Sequence, residues 1–235
     1  MRFVLLVVFT FLANTMSAQI NLNKLKSAAS KAQEVINPKT FSKDEVVNGL
    51  KEALIIGAAN SAANASKEGG FNNNTLIKIP FPKDAEKMKI TLVKIGMQSQ
   101  VDKFEHVLNK AAEDASNFVT EIFINAVKSM TINDAISILK GDDNAATTYL
   151  KIQTSKALYA RIKPIVKSSI DEVNLEKYWR VLVERYNTIP LTKNINTDLE
   201  DYVASQAIDG LFILIAKEEK NIRNNPKARV SEILQ

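Results

Sequence analysis

The chain has 235 residues, no cysteine, one histidine and a formal net charge of +5. The lack of cysteine excludes disulfides, thiolate metal sites and a thiol nucleophile, and one histidine leaves too few ligands for a structural zinc site. Positive and negative charges are interspersed without a dense basic block, so we expect no nucleic-acid partner. The pI of about 9.2 permits a weak attraction to anionic surfaces.

The N-terminus has the three parts of a secretory signal peptide. A positive charge at Arg2 precedes a nearly unbroken apolar run at residues 3–12, and small and polar residues follow as far as Ala18. The run is about half of the ~20 residues that a membrane span needs, so we predict a cleaved signal at residues 1–18 and no transmembrane segment in the mature chain. A buried N-terminal helix or strand is the alternative. The predicted location is exported, either periplasmic or extracellular.

The rest of the chain is predicted to form one all-α domain, a compact multi-helix bundle. Glycine and proline are few, and the composition favours helices. A polar N-terminal arm at residues 19–39 precedes the helical domain at residues 40–225, and a C-terminal tail follows at residues 226–235. A short extended Pro-containing segment or small hairpin is expected near residues 76–82, because each proline pushes the residue before it to extended geometry.

Capping patterns predict where the helices begin. Capping boxes are expected at Ser42 with Glu45 and at Thr197 with Glu200, and Thr131 with Asp134 is predicted to start a short helix. Asp143 is predicted to cap a helix that starts at Ala145. Between these starts, apolar residues at helical spacing predict one long helix over about residues 99–129, and its buried stripe includes Phe118.

A loop of sequence Gly-Gly-Phe-Asn-Asn-Asn at residues 69–74 interrupts the helices. Glycine and asparagine tolerate positive φ, so a structural turn that locks Phe71 and Ile79 onto the bundle is the preferred interpretation. The alternative is a cradle for a ligand on backbone N–H groups. The candidate ligand-binding or partner-binding residues are Gly69, Gly70, Phe71, Asn72, Asn74 and Asp209.

Asp209 is a candidate because it interrupts an apolar helical stretch, where a carboxylate needs a partner or a function. A salt bridge to a lysine or arginine is the preferred explanation, and a carboxylate pair with Glu113 is the catalytic one. His106 is expected on the surface. Asp142, Asp143 and Asn144 could offer oxygen ligands to Ca²⁺, but the EF-hand spacing is absent, so helix capping is the preferred interpretation of Asp143. We therefore predict no catalytic residue, no metal and no cofactor.

A series of short segments resembles a bacterial family called domain of unknown function 4197. The resemblance covers nearly the whole predicted mature chain, and its specificity lies in the order of the segments. It implies a bacterial source, an export signal and a compact helical fold, and it brings no established activity. The segments lie at residues 49–54, 69–71, 77–82, 109–113, 130–135, 139–147, 209–212 and 218–223, followed by Pro226.

The resulting expectation is a non-enzymatic binding or interaction module of the cell envelope, whose partner is an unknown protein or envelope component. It predicts an exposed apolar patch near the Gly-Gly-Phe loop or the final helix. One alternative is a carrier of a small apolar or lipid-like ligand, in a cavity where the small residues at 57–65 face Phe118, Phe123 and Trp179. A carboxylate-based hydrolase is the other alternative, and the absence of any catalytic motif disfavours it.

Overall fold

A computed structural model describes residues 42–190, 192, 195 and 197–224, and the predicted signal, arm and tail lie outside them. These residues contain helices and no strand, which confirms the all-α prediction. None of the described helices is by itself long and apolar enough to cross a membrane, although α4 and α5 fit by length and composition as a pair bent by 105°. The helices are α1 Lys43–Ser66, α2 Glu86–Lys94, α3 Gln98–Ala115, α4 Thr120–Lys128, α5 Ile132–Lys140, α6 Ala145–Glu172, α7 Leu175–Asn187 and α8 Leu199–Asn224.

Two of the predicted helix starts are confirmed, together with their capping boxes. At α1, the Ser42 hydroxyl accepts from the Glu45 N–H at 3.2 Å, and the Glu45 carboxylate accepts from the Ser42 N–H at 2.7 Å. Thr131 and Asp134 make the same reciprocal pair at α5. Each box satisfies N–H groups that have no partner inside their helix.

The predicted long helix over residues 99–129 is wrong, because a 3-10 turn at Ser116–Phe118 divides it into α3 and α4. The Ser116 hydroxyl donates to the Ala112 carbonyl, and the Asn117 amide donates to the Asp114 carbonyl. These local hydrogen bonds compete with the helical pattern. The register shifts as a result, so that Phe118 is 51% exposed while Phe123 is fully buried.

Helices α6 and α8 form the central pair of the bundle and run antiparallel. Lys151 near the start of α6 pairs with Asp209 of α8, and Lys167 near the end of α6 pairs with Glu200. Helix α6 continues through Pro164 without ending. Its buried side chains recur every four residues, at Ala146, Leu150, Thr154, Leu158, Ile162, Val166 and Ile170.

The segment at residues 77–82 follows a turn that ends at Ile77 and has the burial pattern of a strand. Ile77, Ile79 and Phe81 are buried, whereas Lys78 and Pro80 between them are exposed. This alternation has the period of two that is typical of a strand. The predicted extended segment is therefore present, and its buried side chains extend the core. Phe81 packs on Phe104 and Trp179, with ring centroids 5.1 and 5.6 Å away.

Candidate functional site

The connection between α1 and the extended segment is fastened to α3 at two points. The first is Asn109, which is fully buried. Its Oδ1 accepts from the Ile79 N–H at 2.8 Å, and its Nδ2 donates to the Ile79 carbonyl at 2.9 Å. One carboxamide thus satisfies both backbone groups of a buried extended residue, as a neighbouring strand does in a sheet.

The second fastening point is Glu113, one helical turn after Asn109 and 2% exposed. Its Oε1 accepts from the N–H groups of Phe71 and Asn72, each at 3.1 Å. Two successive N–H groups of a turn form an anion-binding concavity. The Gly-Gly-Phe loop does cradle an anion on its backbone, and that anion is the protein's own carboxylate.

Glycine is needed at two positions of this loop. Gly69 has φ of +72°, which side chains disfavour, and a Cβ added to Gly70 would lie 2.2 Å from the Ala65 carbonyl oxygen. Phe71 and Ile79 are both fully buried, as the structural-turn interpretation predicts. The conformation of this turn therefore depends on both glycines.

Outside these fastening points, the loop borders a groove of about 590 Å³ between the end of α1 and α8. Asn64, Asn73 and Asn74 line it, so we call it the carboxamide groove. The Nδ2 groups of these residues make no hydrogen bond to any other described residue. The other lining residues are Ser61, Lys67, Glu68, Gly69, Gly70, Thr75, Leu214, Lys217 and Glu218.

Two exposed apolar residues are neighbours in the sequence of residues that line this groove. Leu76 follows the lining residue Thr75 and is 52% exposed, and Ile213 precedes the lining residue Leu214 and is 44% exposed. Ile77 packs against Gly210 of α8, so the segment that follows the loop lies next to α8. Leu76 and Ile213 are thus exposed apolar residues near the loop and on the final helix, and the contiguous apolar patch stays a prediction.

The structure separates the six predicted site residues. Gly69, Gly70 and Asn74 line the carboxamide groove, whereas Phe71 belongs to the core. The Asn72 backbone binds Glu113, and Asp209 lies on the surface, where its carboxylate meets Lys151 at 3.4 Å. The salt bridge expected for Asp209 is therefore observed, on an exposed pair.

The residues named for other chemistry also have defined places. Glu113 is enclosed by the loop and not presented to a cleft. His106, Asp142 and Asp143 are exposed, and the described part of the chain contains no group of three or more metal-ligand side chains. The ligand-carrier alternative expects Phe123 and Trp179 to line a cavity. In the structure, Phe123 packs on Phe212, and Trp179 packs on Phe104 and Phe81.

The sequence analysis did not single out Glu219 of α8. It is 6% exposed, and its two oxygens accept from the N–H groups of Ala146 and Thr147 at 2.9 and 2.8 Å. Arg223 binds the same carboxylate at 2.8 Å. The predicted cap Asp143 is therefore wrong, because a residue of α8 caps the N-terminus of α6. The available signal for the burial of Glu219 was its spacing, because it lies one helical turn after Ile215 on an apolar side of α8.

The sequence analysis did not single out Asn64 or Asn73 either. For Asn109, the only indication of a role was its position in the buried stripe of α3. Asn109 and Glu113 lie four residues apart within the apolar stripe of α3, so both face the core. Two polar residues at that spacing in a buried stripe indicate a structural partner. The pattern does not say that the partner is a loop forty residues earlier in the sequence.

Comparison with known proteins adds a family and no activity. The profile of a family described as a protein of unknown function, DUF4197, matches residues 40–235. No curated protein and no solved structure matches the chain. The match covers most of the chain, including every described helix and the carboxamide groove. The chain is therefore a member of the DUF4197 family.

Proposed function

We propose that this chain is an exported, non-enzymatic binding protein that holds an extended segment of an envelope protein in the carboxamide groove. The observation that carries the proposal is the set of three carboxamides around the groove, two of them on a loop that α3 holds rigidly. Binding residues are commonly found on loops that a rigid scaffold positions. A pre-formed loop also loses little conformational entropy when a partner binds.

The protein itself contains an example of the recognition that we propose. Asn109 binds the N–H and the carbonyl of Ile79 in an extended segment, with both distances below 3 Å. Asn64 and Asn73 have the same functional group at the groove, with their Oδ1 atoms accepting from Lys67 and Asn72 and their Nδ2 groups available as donors. An extended peptide has one backbone carbonyl per residue, which these Nδ2 groups could bind regardless of its sequence.

The charge of the groove supports the same class of ligand. Two lysines and two glutamates line the groove, namely Lys67, Lys217, Glu68 and Glu218, so its formal charges balance. A balanced groove favours an uncharged backbone over a phosphate or a metal ion.

Panning a random-peptide library against the immobilised full chain tests the binding. Enriched peptides should bind the wild type, and Asn64→Ala with Asn73→Ala should weaken them about tenfold or more, since each hydrogen bond contributes about 1 kcal/mol. Asn133→Ala with Asn187→Ala is the matched control, because both residues are exposed on other helices. Equal affinity of the two double variants, or no enriched peptide, would contradict the proposal.

Export is tested separately. The predicted signal at residues 1–18 supports it, and cleavage after Ala18 gives Gln19 as the new N-terminus. We expect fractionation of the expressing bacterium to find the processed chain outside the cytoplasm. N-terminal sequencing should read from Gln19. Accumulation of the unprocessed chain in the cytoplasm would show that this part of the proposal is wrong.

A further inference from the structure

Helix α6 has an unusual charge distribution that the carboxamide groove does not involve. Between Ala145 and Ile170 it contains no acidic residue. Its five cations are Lys151, Lys156, Arg161, Lys163 and Lys167.

Three of these cations face α8 and are neutralised by its acidic residues. Lys151 pairs with Asp209 at 3.4 Å, and Lys167 pairs with Glu200 at 2.5 Å. Lys163 pairs with Asp201 at 3.3 Å and also donates to the Tyr159 hydroxyl. The hydrogen bonds from Tyr159 and Lys163 hold the pKa of Asp201 below its usual value, so that carboxylate stays charged.

The remaining two cations, Lys156 and Arg161, are exposed and make no ion pair with any described residue. Lys156 lies on the side of α6 opposite its buried stripe, and Arg161, five residues later, lies on the flank next to that side. We call this exposed surface the outer face of α6; it consists of Thr148, Ile152, Gln153, Lys156, Ala157, Ala160, Arg161, Pro164 and Ser168, all exposed.

The outer face also has the most exposed large apolar side chain among the described residues. Ile152 is 74% exposed and lies one helical turn before Lys156. Ala157 and Ala160 on the same face have small side chains that project little from the helix. A helix of this length extends about 40 Å, so the outer face is long, and the two cations are its only charged residues.

We propose that the outer face of α6 docks on an anionic lipid surface. An exposed isoleucine beside a lysine fits the boundary of a bilayer, because the apolar side chain enters the acyl region while the cation reaches the phosphates. Nucleic acid fits less well, since the face has no aromatic side chain on which bases could stack. The inference uses a different surface from the carboxamide groove and does not depend on the proposed function.

Sedimentation with vesicles tests the docking. The full chain is mixed with vesicles of equal parts phosphatidylglycerol and phosphatidylcholine at low salt, and with vesicles of phosphatidylcholine alone. We expect binding to the anionic vesicles only, and weaker binding as salt screens the charges. The double variant Lys156→Gln/Arg161→Gln should lose about 25-fold in affinity, about fivefold per cation. Ile152→Ser should also weaken binding.

The matched control is Lys94→Gln/Lys140→Gln, which removes two exposed cations from other helices at the same net charge. Every variant keeps the same N-terminus, so any contribution from residues 1–18 is equal, and circular dichroism checks the fold. Retained binding by the control variant supports the proposal. Three results would overturn it: no binding to anionic vesicles, an equal loss in the control, or binding to polyglutamate that depends on Lys156 and Arg161 while vesicles are not bound.

Discussion

Gly210 determines how closely the loop approaches α8. A Cβ at this position would lie 2.8 Å from the Phe71 ring and 3.3 Å from the Ile77 Cβ. Phe71 is fully buried and its backbone is fixed by Glu113, so the ring has no free space to move into. The structural constraint at this point of α8 therefore lies on Gly210, and the carboxylate of the neighbouring Asp209 lies outside the core.

Gly210→Ala should destabilise the protein by about 1–3 kcal/mol, the usual cost of overpacking a core. Gly57→Ala is the matched control, because its Cβ would meet the Glu218 Cγ at an ordinary 3.4 Å. That substitution should stabilise α1 by about 0.5–1 kcal/mol, because alanine loses less conformational entropy in a helix. Urea unfolding measures both changes. A change of the same sign in both variants would contradict the packing argument.

Tyr202 gives the protein an alkaline pH dependence. Its hydroxyl donates to the Pro80 carbonyl at 3.0 Å, and burial, with Asp84, Glu105 and Glu86 nearby, raises the pKa of Tyr202 to about 12. Because the folded state disfavours the phenolate, this contribution to stability is present below pH 10 and is lost as pH rises towards 12. Urea midpoints at pH 9 and 11 should fall less in Tyr202→Phe than in the wild type. Equal falls would show that Tyr202 titrates normally.

At the scale of helices, the bundle depends on contacts that join distant parts of the sequence. Glu219 of α8 caps α6, and the Arg223 guanidinium that binds it also donates to the Ile138 carbonyl of α5 at 2.9 Å. One buried carboxylate thus links the ends of three helices. Loss of a single partner from such a cluster leaves the other polar groups without compensation.

Glu219→Ala should therefore cost about 3–5 kcal/mol of unfolding free energy. Hydrogen exchange should also accelerate at the amides of Ala146 and Thr147, which lose their acceptor. Glu184→Ala, on the exposed side of α7, is the control and should change stability by no more than about 0.5 kcal/mol. If the two variants unfold at the same urea concentration, the cap contributes little.

The elements that could be predicted from the sequence are those whose causes are local. The start of α1 follows from Ser42 and Glu45, which lie within one turn of each other. The cap of α6 could not be predicted, since Glu219 lies more than seventy residues from Thr147. The predicted capping box at Thr197 and Glu200 is wrong for a similar reason. The Thr197 hydroxyl donates to Asp84, and Asp198 accepts from the Asp201 N–H.

The candidate site also combines features that have local causes with features that depend on tertiary contacts. Glycine and asparagine chemistry identified the loop at residues 69–74, and the turn needs glycine where predicted. The carboxamide groove forms only when the loop meets α8, so Asn64 carried no signal in the sequence. Which polar residues of a loop line a groove and which bind the core is decided by tertiary contacts.

At the scale of the whole molecule, the described helices belong to one contact unit. That unit begins at Ser42, and the family match begins at residue 40. The unit has no cysteine, so burial and hydrogen bonding hold it together without disulfides. Its apolar core runs without interruption from Val47 of α1 to Ile215 of α8.

A fragment of residues 42–235 should therefore fold alone. It includes the whole contact unit and keeps the Ser42–Glu45 box that satisfies the first turn of α1. We expect a helical circular dichroism spectrum and one cooperative urea transition, because a single continuous core unfolds as a unit. Within the fragment, Ser42→Ala should cost about 1 kcal/mol by removing the cap. A fragment without a cooperative transition would show that residues 1–41 are required for the fold.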